Sequence, residues 1–283
     1  MPLRFAHIIA PYRAASGSPE EFAQRVTFET MRRARASSGD LQIDLFTTQF
    51  AEDHNLAPDI FQNAGDLERS VLEMGHFTMK RKLPLLRDVL DRLHNATDAE
   101  YCIYTNVDIA LQPGFYASVA RKIQDGFDAF VINRRCIRPH YGSLDQIPQM
   151  LTEKGSSHPG YDCFVFRRDA YHSFVLGDVC IGMGHVDLPL VCSMIAFAKK
   201  FGEFRDEYLT FHLGDDRPWK SRKYSEYRQH NDRECIRALK NLAAVIRADE
   251  RLGSIYTVHL LAGRPVNPLS VHAWKKAFGH SCV

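Results

Sequence analysis

Short apolar runs alternate with amphipathic segments through the first half of the chain. The apolar runs predict β-strands at residues 7–10, 42–47, 101–104 and 129–133. Apolar positions at helical spacing predict helices at residues 19–36, 80–94 and 114–124. This alternation of strand and helix predicts an α/β fold with a mostly parallel sheet that is covered on both faces.

The second half of the chain is less regular, and it begins with a loop-rich stretch over residues 138–159. Short strands are predicted at residues 162–166, 203–205 and 208–212, and helices at residues 188–200 and about 233–248. We expect one domain over residues 1–283 with a nucleotide-binding half (about 1–135), an acceptor half (about 136–225) and a C-terminal helical extension (about 226–283).

Composition excludes several classes of protein. The net charge is +2, and its scattered distribution does not suggest a nucleic-acid partner. No apolar stretch reaches the roughly 18 residues of a transmembrane helix, and the brief apolar run at residues 1–10 does not have the h-region and small-residue cleavage site expected of a signal peptide. The seven cysteines form no Cys-x-x-Cys pair, so we interpret them as reduced core residues rather than as metal ligands, disulfides or a catalytic thiol. A cytoplasmic protein is expected from these features.

Polar residues follow each of the predicted strands. They occupy positions 11–13, 47–48, 106–108 and 133–135. Because ligands of parallel α/β sheets bind beyond the carboxyl ends of the strands, these positions are the candidate site. The strongest is Asn106-Val107-Asp108, which follows an apolar strand directly. A carboxylate there can hold a hard divalent cation, Mn²⁺ or Mg²⁺, that bridges two phosphates, and the Asn106 amide can bind the same metal or a ribose.

The segment Tyr104-Thr105-Asn106-Val107-Asp108-Ile109 resembles the Asp-x-Asp region of GT-A fold glycosyltransferases. Further segments resemble parts of that family in the expected order: residues 8–12, 158–166 and 184–187, and Thr210-Phe211-His212 with Trp219. The resemblance covers about residues 5–220 and implies a Rossmann-type central mixed sheet, mostly parallel and flanked by helices. The chain departs from the family where Asn106 replaces the first acid of the pair, which weakens the expected metal site.

The resemblance also implies roles for single residues. Asp108 and His212 would bind the metal, and Asp187 or Asp162 would act as the catalytic acid group. The donor-binding candidates are Pro11, Tyr12, Arg13, Arg81, Asn106, Asp108 and Arg134. The implied activity is hexosyl or related glycosyl transfer from a nucleotide diphosphate sugar to an acceptor hydroxyl.

Each of these residues also has a purely structural interpretation. Asp108 can cap a turn, and Asp187, which is followed by Leu188-Pro189, can be a helix N-cap. His212 can be a structural histidine, and Arg134 and Arg81 can be solvated cations. Tyr12 can stack on a base or line the edge of the core.

Two other functions stay open from the sequence. One is a sugar-1-phosphate nucleotidyltransferase, although residues 10–17 lack a convincing glycine-rich loop with a lysine. The other is a non-catalytic nucleotide- or sugar-binding protein of the same fold, which the Asn106 replacement allows. The donor sugar, the base, the acceptor, the stereochemical course and the oligomeric state cannot be inferred from the sequence.

Overall fold

The computed structural model describes residues 3–158, 160–215 and 217–245. They divide into two compact units. Unit 1 comprises Met1–Glu68, Val89–Tyr171 and Lys199–Asp216, and unit 2 comprises Arg69–Asp88, His172–Ala198 and Arg217–Val283. The expectation of one domain with three consecutive parts stays a prediction.

Unit 1 contains a seven-stranded sheet in the order β10-β6-β9-β4-β1-β2-β3. Its strands are β1 (Arg4–Ile9), β2 (Gln42–Thr47), β3 (Gln62–Asn63), β4 (Tyr101–Thr105), β6 (Ala129–Ile132), β9 (Cys163–Arg167) and β10 (Phe201–Phe204). All neighbouring pairs are parallel except those of β9, which runs antiparallel to both β4 and β6. The predicted α/β fold with a central mixed, mostly parallel sheet is therefore confirmed.

A second sheet of unit 1 has the order β5-β11-β7-β8. Its strands are β5 (Ala110–Leu111), β7 (Arg135–Ile137), β8 (Ser156–Ser157) and β11 (Thr210–Leu213). Three of them are two or three residues long, which is too short for an apolar periodicity to show in the sequence. Only β11 was anticipated, as the predicted strand over residues 208–212.

The helices are α1 (Pro19–Ala36), α2 (Leu86–Ala96), α3 (Phe115–Gln124), α4 (Ile147–Thr152), α5 (Asp187–Phe197) and α6 (Ser225–Val245). The predicted bounds of α1 are confirmed, and the Ser18 hydroxyl caps this helix by accepting a hydrogen bond from the Glu21 amide.

The predicted helix at 80–94 begins at Leu86 instead. Pro84 disfavours helical backbone at the residue before it, and Leu85 instead forms an antiparallel bridge to Cys180. Helix α6 begins eight residues before the predicted start, and the predicted end at 248 lies outside the described residues.

Helix α1 packs against both sheets of unit 1. Its Phe28 and Met31 lie in the core of the large sheet together with Phe5 and Ile103, and Val26 lies in the core of the small sheet. The Thr30 hydroxyl accepts a hydrogen bond from the amide of Leu111. Helix α1 thus fixes the small sheet, whose strand β11 contains His212, against the large one.

His7 is a fully buried polar residue of β1. Its Nε2 lies 2.9 Å from Thr105 Oγ1, at the end of β4, and its Nδ1 lies 3.0 Å from the Tyr116 hydroxyl, in the first turn of α3. The two partners flank the segment 106–114, which contains Asp108. Burial lowers the pKa of His7 from 6.5 to about 3.

The buried His7 should make the protein sensitive to acid. Its folded pKa lies below its unfolded pKa, so the unfolded chain binds the proton first, and this group's stabilisation is lost as pH falls from 6.5 towards 3. The slope should approach about 1.4 kcal/mol per pH unit. Urea unfolding of the wild type and of His7→Gln at pH 7 and pH 4.5 measures it, because the difference between the two proteins removes the contribution of the carboxylates. A difference that does not change with pH would contradict the assignment.

Unit 2 has its own apolar core around the start of α6. Tyr224 and Tyr227 pack there with residues of the 69–88 segment and of the loop before α5: Val71, Phe77, Leu85, Cys180 and Met183. The ring of Phe77 stacks on that of Tyr227 with centroids 4.3 Å apart.

Among the described residues, none of the helices combines the length and the apolarity that crossing a bilayer requires.

The six cysteines within the described residues are free and buried, as the sequence predicted for core positions. Burial raises the pKa of the Cys102 and Cys180 thiols to about 12. Such thiols are protonated at neutral pH, which is the opposite of what a catalytic thiolate requires. Cys282 lies outside the described residues.

Candidate active site

The small sheet of unit 1 brings together residues that are far apart in the sequence. In β11, Phe211 pairs with Ala110 of β5 on one side and with Arg135 of β7 on the other. This register places His212 beside Asp108, which precedes β5, and it brings Arg134, which precedes β7, to the same place. We call Asn106, Asp108, Arg134, Asp162 and His212 the polar cluster; all five are sequence-predicted site residues.

Asp108 and His212 form a direct pair. The His212 Nε2 lies 3.2 Å from Asp108 Oδ2. The other carboxylate oxygen, Oδ1, is buried and has no hydrogen-bond partner among the described residues, although 41% of the side chain as a whole is accessible. A buried carboxylate oxygen with no partner is costly in an apo protein and is available to a cation.

A hydrogen bond to the backbone fixes the orientation of the His212 ring on the side away from Asp108. Its Nδ1 lies 2.9 Å from the carbonyl oxygen of Gly214, and a carbonyl can only accept, so Nδ1 carries the proton. In the neutral ring the lone pair is then on Nε2, which faces Asp108. A backbone carbonyl behind the imidazole is the usual way in which a protein orients a metal-ligating histidine.

Charge attraction dominates the titration of this pair. Burial by itself raises the pKa of Asp108, but the neighbouring His212 and Arg134 outweigh it and lower the pKa to about 2. Burial lowers the pKa of His212, but the Asp108 carboxylate outweighs this and raises it above 6.5. The pair is therefore aspartate with imidazolium over most of the acidic range.

Removing the Asp108 charge should reverse the shift at His212. In Asp108→Asn the burial and the Arg134 charge remain, and both lower the pKa of His212, so it should fall below 6.5. Histidine NMR titration measures this value. The control is Asp66→Asn, since Asp66 pairs with His54 at 2.7 Å and bonds Asn63, outside the polar cluster. An unchanged His212 pKa in Asp108→Asn would contradict the pairing.

A buried ion pair forms the other side of the polar cluster. Arg134 Nη1 lies 3.0 Å from Asp162 Oδ1, and both side chains are only 10% exposed. The Asn106 amide also donates to Asp162 Oδ1 at 3.1 Å, and its own oxygen accepts from the Tyr104 hydroxyl at 2.9 Å. Burial opposes the charge on Arg134, but Asp162 and Asp108 outweigh it and raise its pKa.

Unsatisfied polar atoms concentrate in this region. Four buried atoms there have no hydrogen-bond partner among the described residues: Asp108 Oδ1, Asn133 Oδ1, Arg134 Nε and Asp162 Oδ2. Native proteins leave few such atoms, and a cluster of them marks a place where a polar ligand completes the network. The arrangement offers both cationic and anionic groups to that ligand.

Three members of this region were not among the predicted site residues. Tyr104 belongs to a strand whose sequence indicates only core. His158 lies near both Asp162 and Asp215, with His158 Nε2 3.5 Å from Asp215 Oδ1, and Asp215 Oδ1 lies 3.9 Å from Arg134 Nη2. Asp215 follows β11, so its place at the end of a predicted strand was an available signal. His158 follows β8, which is too short to be predicted from the sequence, so it had no such signal.

Pro11, Tyr12 and Arg13 form a separate group at the end of β1. The Gln24 side chain bonds both the amide and the carbonyl of Tyr12, at 3.2 and 3.0 Å, and the Arg13 amide donates to the buried Asp53 carboxylate at 2.9 Å. Pro11 is buried, whereas Tyr12 is the exposed large hydrophobic side chain, at 41%, among the described residues. An exposed aromatic ring on a fixed backbone can stack on a planar ligand.

The remaining two candidates, Arg81 and Asp187, belong to unit 2. Arg81 donates to the Tyr224 hydroxyl at 2.8 Å. Asp187 is the first residue of α5, and Val186 rather than Asp187 occupies the N-cap position. The neighbouring His185 has positive φ (63°) and bonds Asp232; burial lowers its pKa, but Asp232 and Asp187 outweigh it and raise the pKa.

The donor set of the polar cluster fits a divalent cation that takes few ligands from the protein. No group of three or more His, Cys, Asp or Glu residues in the described part of the chain could hold a metal. Asp108 Oδ1 and His212 Nε2 are two potential ligands. Mg²⁺ and similar cations commonly keep one or two protein ligands and complete their shell with water and substrate phosphates.

The fold and the polar cluster together define an α/β protein with a charged cluster at strand ends. No protein-family model matches the sequence, and no curated protein matches it. Among solved structures, the chain is similar to S. aureus TarS 1-349 in complex with UDP-GlcNAc, with 10% identity, a TM-score of 0.47, and coverage of 97% of this chain and 80% of that one. It is also similar to the mannosyltransferase PcManGT from Pyrobaculum calidifontis in complex with GDP-Man and Mn²⁺, with 11% identity, a TM-score of 0.48, and coverage of 100% and 77%. At such identities the likeness concerns the fold alone.

Proposed function

We propose that this protein is a glycosyltransferase that moves a hexosyl or related group from a nucleotide diphosphate sugar to an acceptor hydroxyl. The observation that carries the proposal is the Asp108–His212 pair at the end of a buried strand, with an unpartnered carboxylate oxygen next to the Arg134–Asp162 ion pair. A diphosphate with a divalent cation supplies the charges that these groups lack.

Asp108 and His212 would hold Mn²⁺ or Mg²⁺, and the bound cation would neutralise the negative charge that develops on the leaving diphosphate. Arg134 would add a fixed positive charge next to the same oxygens, and its burial strengthens that effect. Pro11, Tyr12 and Arg13 would bind the base and ribose. Arg81 stays a candidate for phosphate contact.

The two candidate catalytic acids differ in their surroundings. Asp162 Oδ1 is occupied by Arg134 and Asn106, which leaves Oδ2 to accept a hydroxyl of the donor sugar. We therefore assign Asp162 to positioning the sugar. Asp187 stays a candidate for accepting the proton of the acceptor hydroxyl.

Metal affinity should depend on pH through His212. Its pKa lies above 6.5, and a metal binds the neutral ring, so binding must displace a proton below that pKa. Mn²⁺ affinity should rise by up to about tenfold per pH unit and become level above the pKa of His212. Calorimetric titration with Mn²⁺ from pH 5.5 to 8.5 measures the slope. An equal slope in His212→Gln would remove His212 from the metal site.

A product assay tests the function. The protein is incubated with Mn²⁺, a panel of nucleotide sugars and simple hydroxyl acceptors. Release of nucleoside diphosphate supports glycosyl transfer, and release of pyrophosphate from nucleoside triphosphate and sugar 1-phosphate supports a nucleotidyltransferase instead. Nucleotide-sugar binding without product supports a non-catalytic protein of the same fold.

A further inference from the structure

Unit 2 carries an exposed basic surface, of which only Arg81 is also a candidate for contact with the donor phosphates. Six exposed cations from two distant segments form it: Lys80, Arg81, Lys82, Lys220, Arg222 and Lys223. The two segments are about 140 residues apart in sequence, and we refer to these six residues as the basic surface.

Direct contacts hold the two segments together. The Tyr227 hydroxyl accepts from the Arg81 amide at 2.8 Å, and the Tyr224 hydroxyl accepts from the Arg81 guanidinium at 2.8 Å. Arg81 lies 5.3 Å from the centroid of the Tyr224 ring, and the Lys223 ammonium lies 4.9 Å from the same centroid. The cationic groups of Arg81 and Lys223 therefore lie near the same aromatic ring, and an anion that binds there is attracted by both.

Cations outnumber acidic residues among the described residues of unit 2. Residues 69–88, 172–198 and 217–245 contain 13 Lys and Arg against 7 Asp and Glu, a net charge of +6 in a chain whose total is +2. Glu226, the acid next to Tyr227, is engaged by the amide and hydroxyl of Thr78, each at 2.7 Å. Thr78 lowers the pKa of Glu226, with a smaller contribution from Lys80.

The number of cations on the basic surface indicates the size of the anion that would bind there. A nucleoside diphosphate has one pair of phosphates, whereas six exposed cations on two segments suit an anion whose charges repeat along its length. A membrane partner is less favoured, because Tyr12, the exposed large hydrophobic side chain of the described residues, belongs to unit 1.

We propose that the basic surface binds the acceptor, and that this acceptor is an anionic polymer with phosphate or carboxylate groups along its length. The acceptor role rests on the proposed glycosyl transfer. The binding of a polyanion does not, and it can be measured without turnover.

The test compares two triple variants in binding to fluorescently labelled inorganic polyphosphate. Lys220→Gln/Arg222→Gln/Lys223→Gln removes half of the basic surface. Arg25→Gln/Arg121→Gln/Lys154→Gln removes three exposed cations of unit 1 and gives the same net charge. The wild type should bind polyphosphate and lose roughly a hundredfold or more in affinity between about 50 and about 200 mM salt. The first variant should bind more weakly at low salt with about half that salt slope, and the control should resemble the wild type.

Three results would overturn the proposal. The first is equal polyphosphate binding by the two triple variants. The second is a loss of UDP and GDP affinity in the first variant as large as its loss of polyphosphate affinity, which would assign the surface to the donor. The third is binding to phosphatidylglycerol vesicles without binding to polyphosphate, which would make the partner a lipid surface. If no nucleotide sugar is turned over but polyphosphate binding follows the expected pattern, the glycosyltransferase proposal fails and the polyanion site stands.

Discussion

Asp108→Asn should reduce glycosyl transfer by at least roughly a thousandfold, because several kcal/mol of charge stabilisation on the leaving diphosphate depend on that carboxylate. The change keeps the size of the side chain but removes its negative charge. Without this charge His212 loses its counter-charge, and a bound Mn²⁺ or Mg²⁺ ion would lose its carboxylate ligand. The loss should appear in kcat as well as in KM, since the charge on the diphosphate grows in the transition state.

The control is again Asp66→Asn, which removes a carboxylate from the His54–Asp66 pair of the same unit. It should leave turnover within about threefold of the wild type. Urea unfolding of both variants shows whether either loss arises from the fold. A kcat for Asp108→Asn within tenfold of the wild type would exclude Asp108 from the chemistry, and unchanged Mn²⁺ affinity would exclude it from the metal site.

The pairing of Asp108 with His212 illustrates what can be predicted from the sequence. Polar residues after apolar strands can be located from hydrophobic patterning alone, and parallel strands bring such ends to one edge. Patterning located Asp108 in this way, whereas the ligand role of His212 was implied by the resemblance to GT-A fold glycosyltransferases. In the structure His212 Nε2 lies 3.2 Å from Asp108 Oδ2. The metal itself stays a prediction.

The elements that create this contact could not be predicted. Strands β5, β7 and β8 have two or three residues each; β5 and β7 pair with the two sides of β11, and β8 pairs with β7. No periodicity can be measured over so few residues. The role of Tyr104 could not be predicted either. The sequence of its strand indicates only a core position, although the Tyr104 hydroxyl donates a hydrogen bond to Asn106.

The start of α2 was mispredicted for a related reason. Residues 80–85 continue the helical spacing of apolar residues, but Pro84 and the contacts of Arg81 with Tyr224 and Tyr227 hold the segment in a non-helical path. These contacts are made with α6 and the turn before it, more than 140 residues later, and no local pattern contains them.

Arg134→Met should destabilise the protein by about 3–5 kcal/mol, because it leaves the Asp162 carboxylate buried and without its counter-charge. Urea unfolding measures the loss. The matched control is Arg167→Met, which breaks an ion pair with Asp169 whose side chains are 39% and 65% exposed. Exposed pairs of this kind contribute at most about 1 kcal/mol.

The double variant Arg134→Met/Asp162→Leu separates stability from function. It removes both charges, so the unpaired carboxylate disappears, and the variant should be less destabilised than Arg134→Met alone. Additive losses in the two single variants would show that the pair does not interact. Apolar replacements for buried ion pairs are often neutral or stabilising. A contribution to stability therefore does not by itself explain why these two charges are present in the polar cluster. The double variant should therefore fold and lose nucleotide-sugar turnover, whereas near-normal turnover would assign the pair a structural role only.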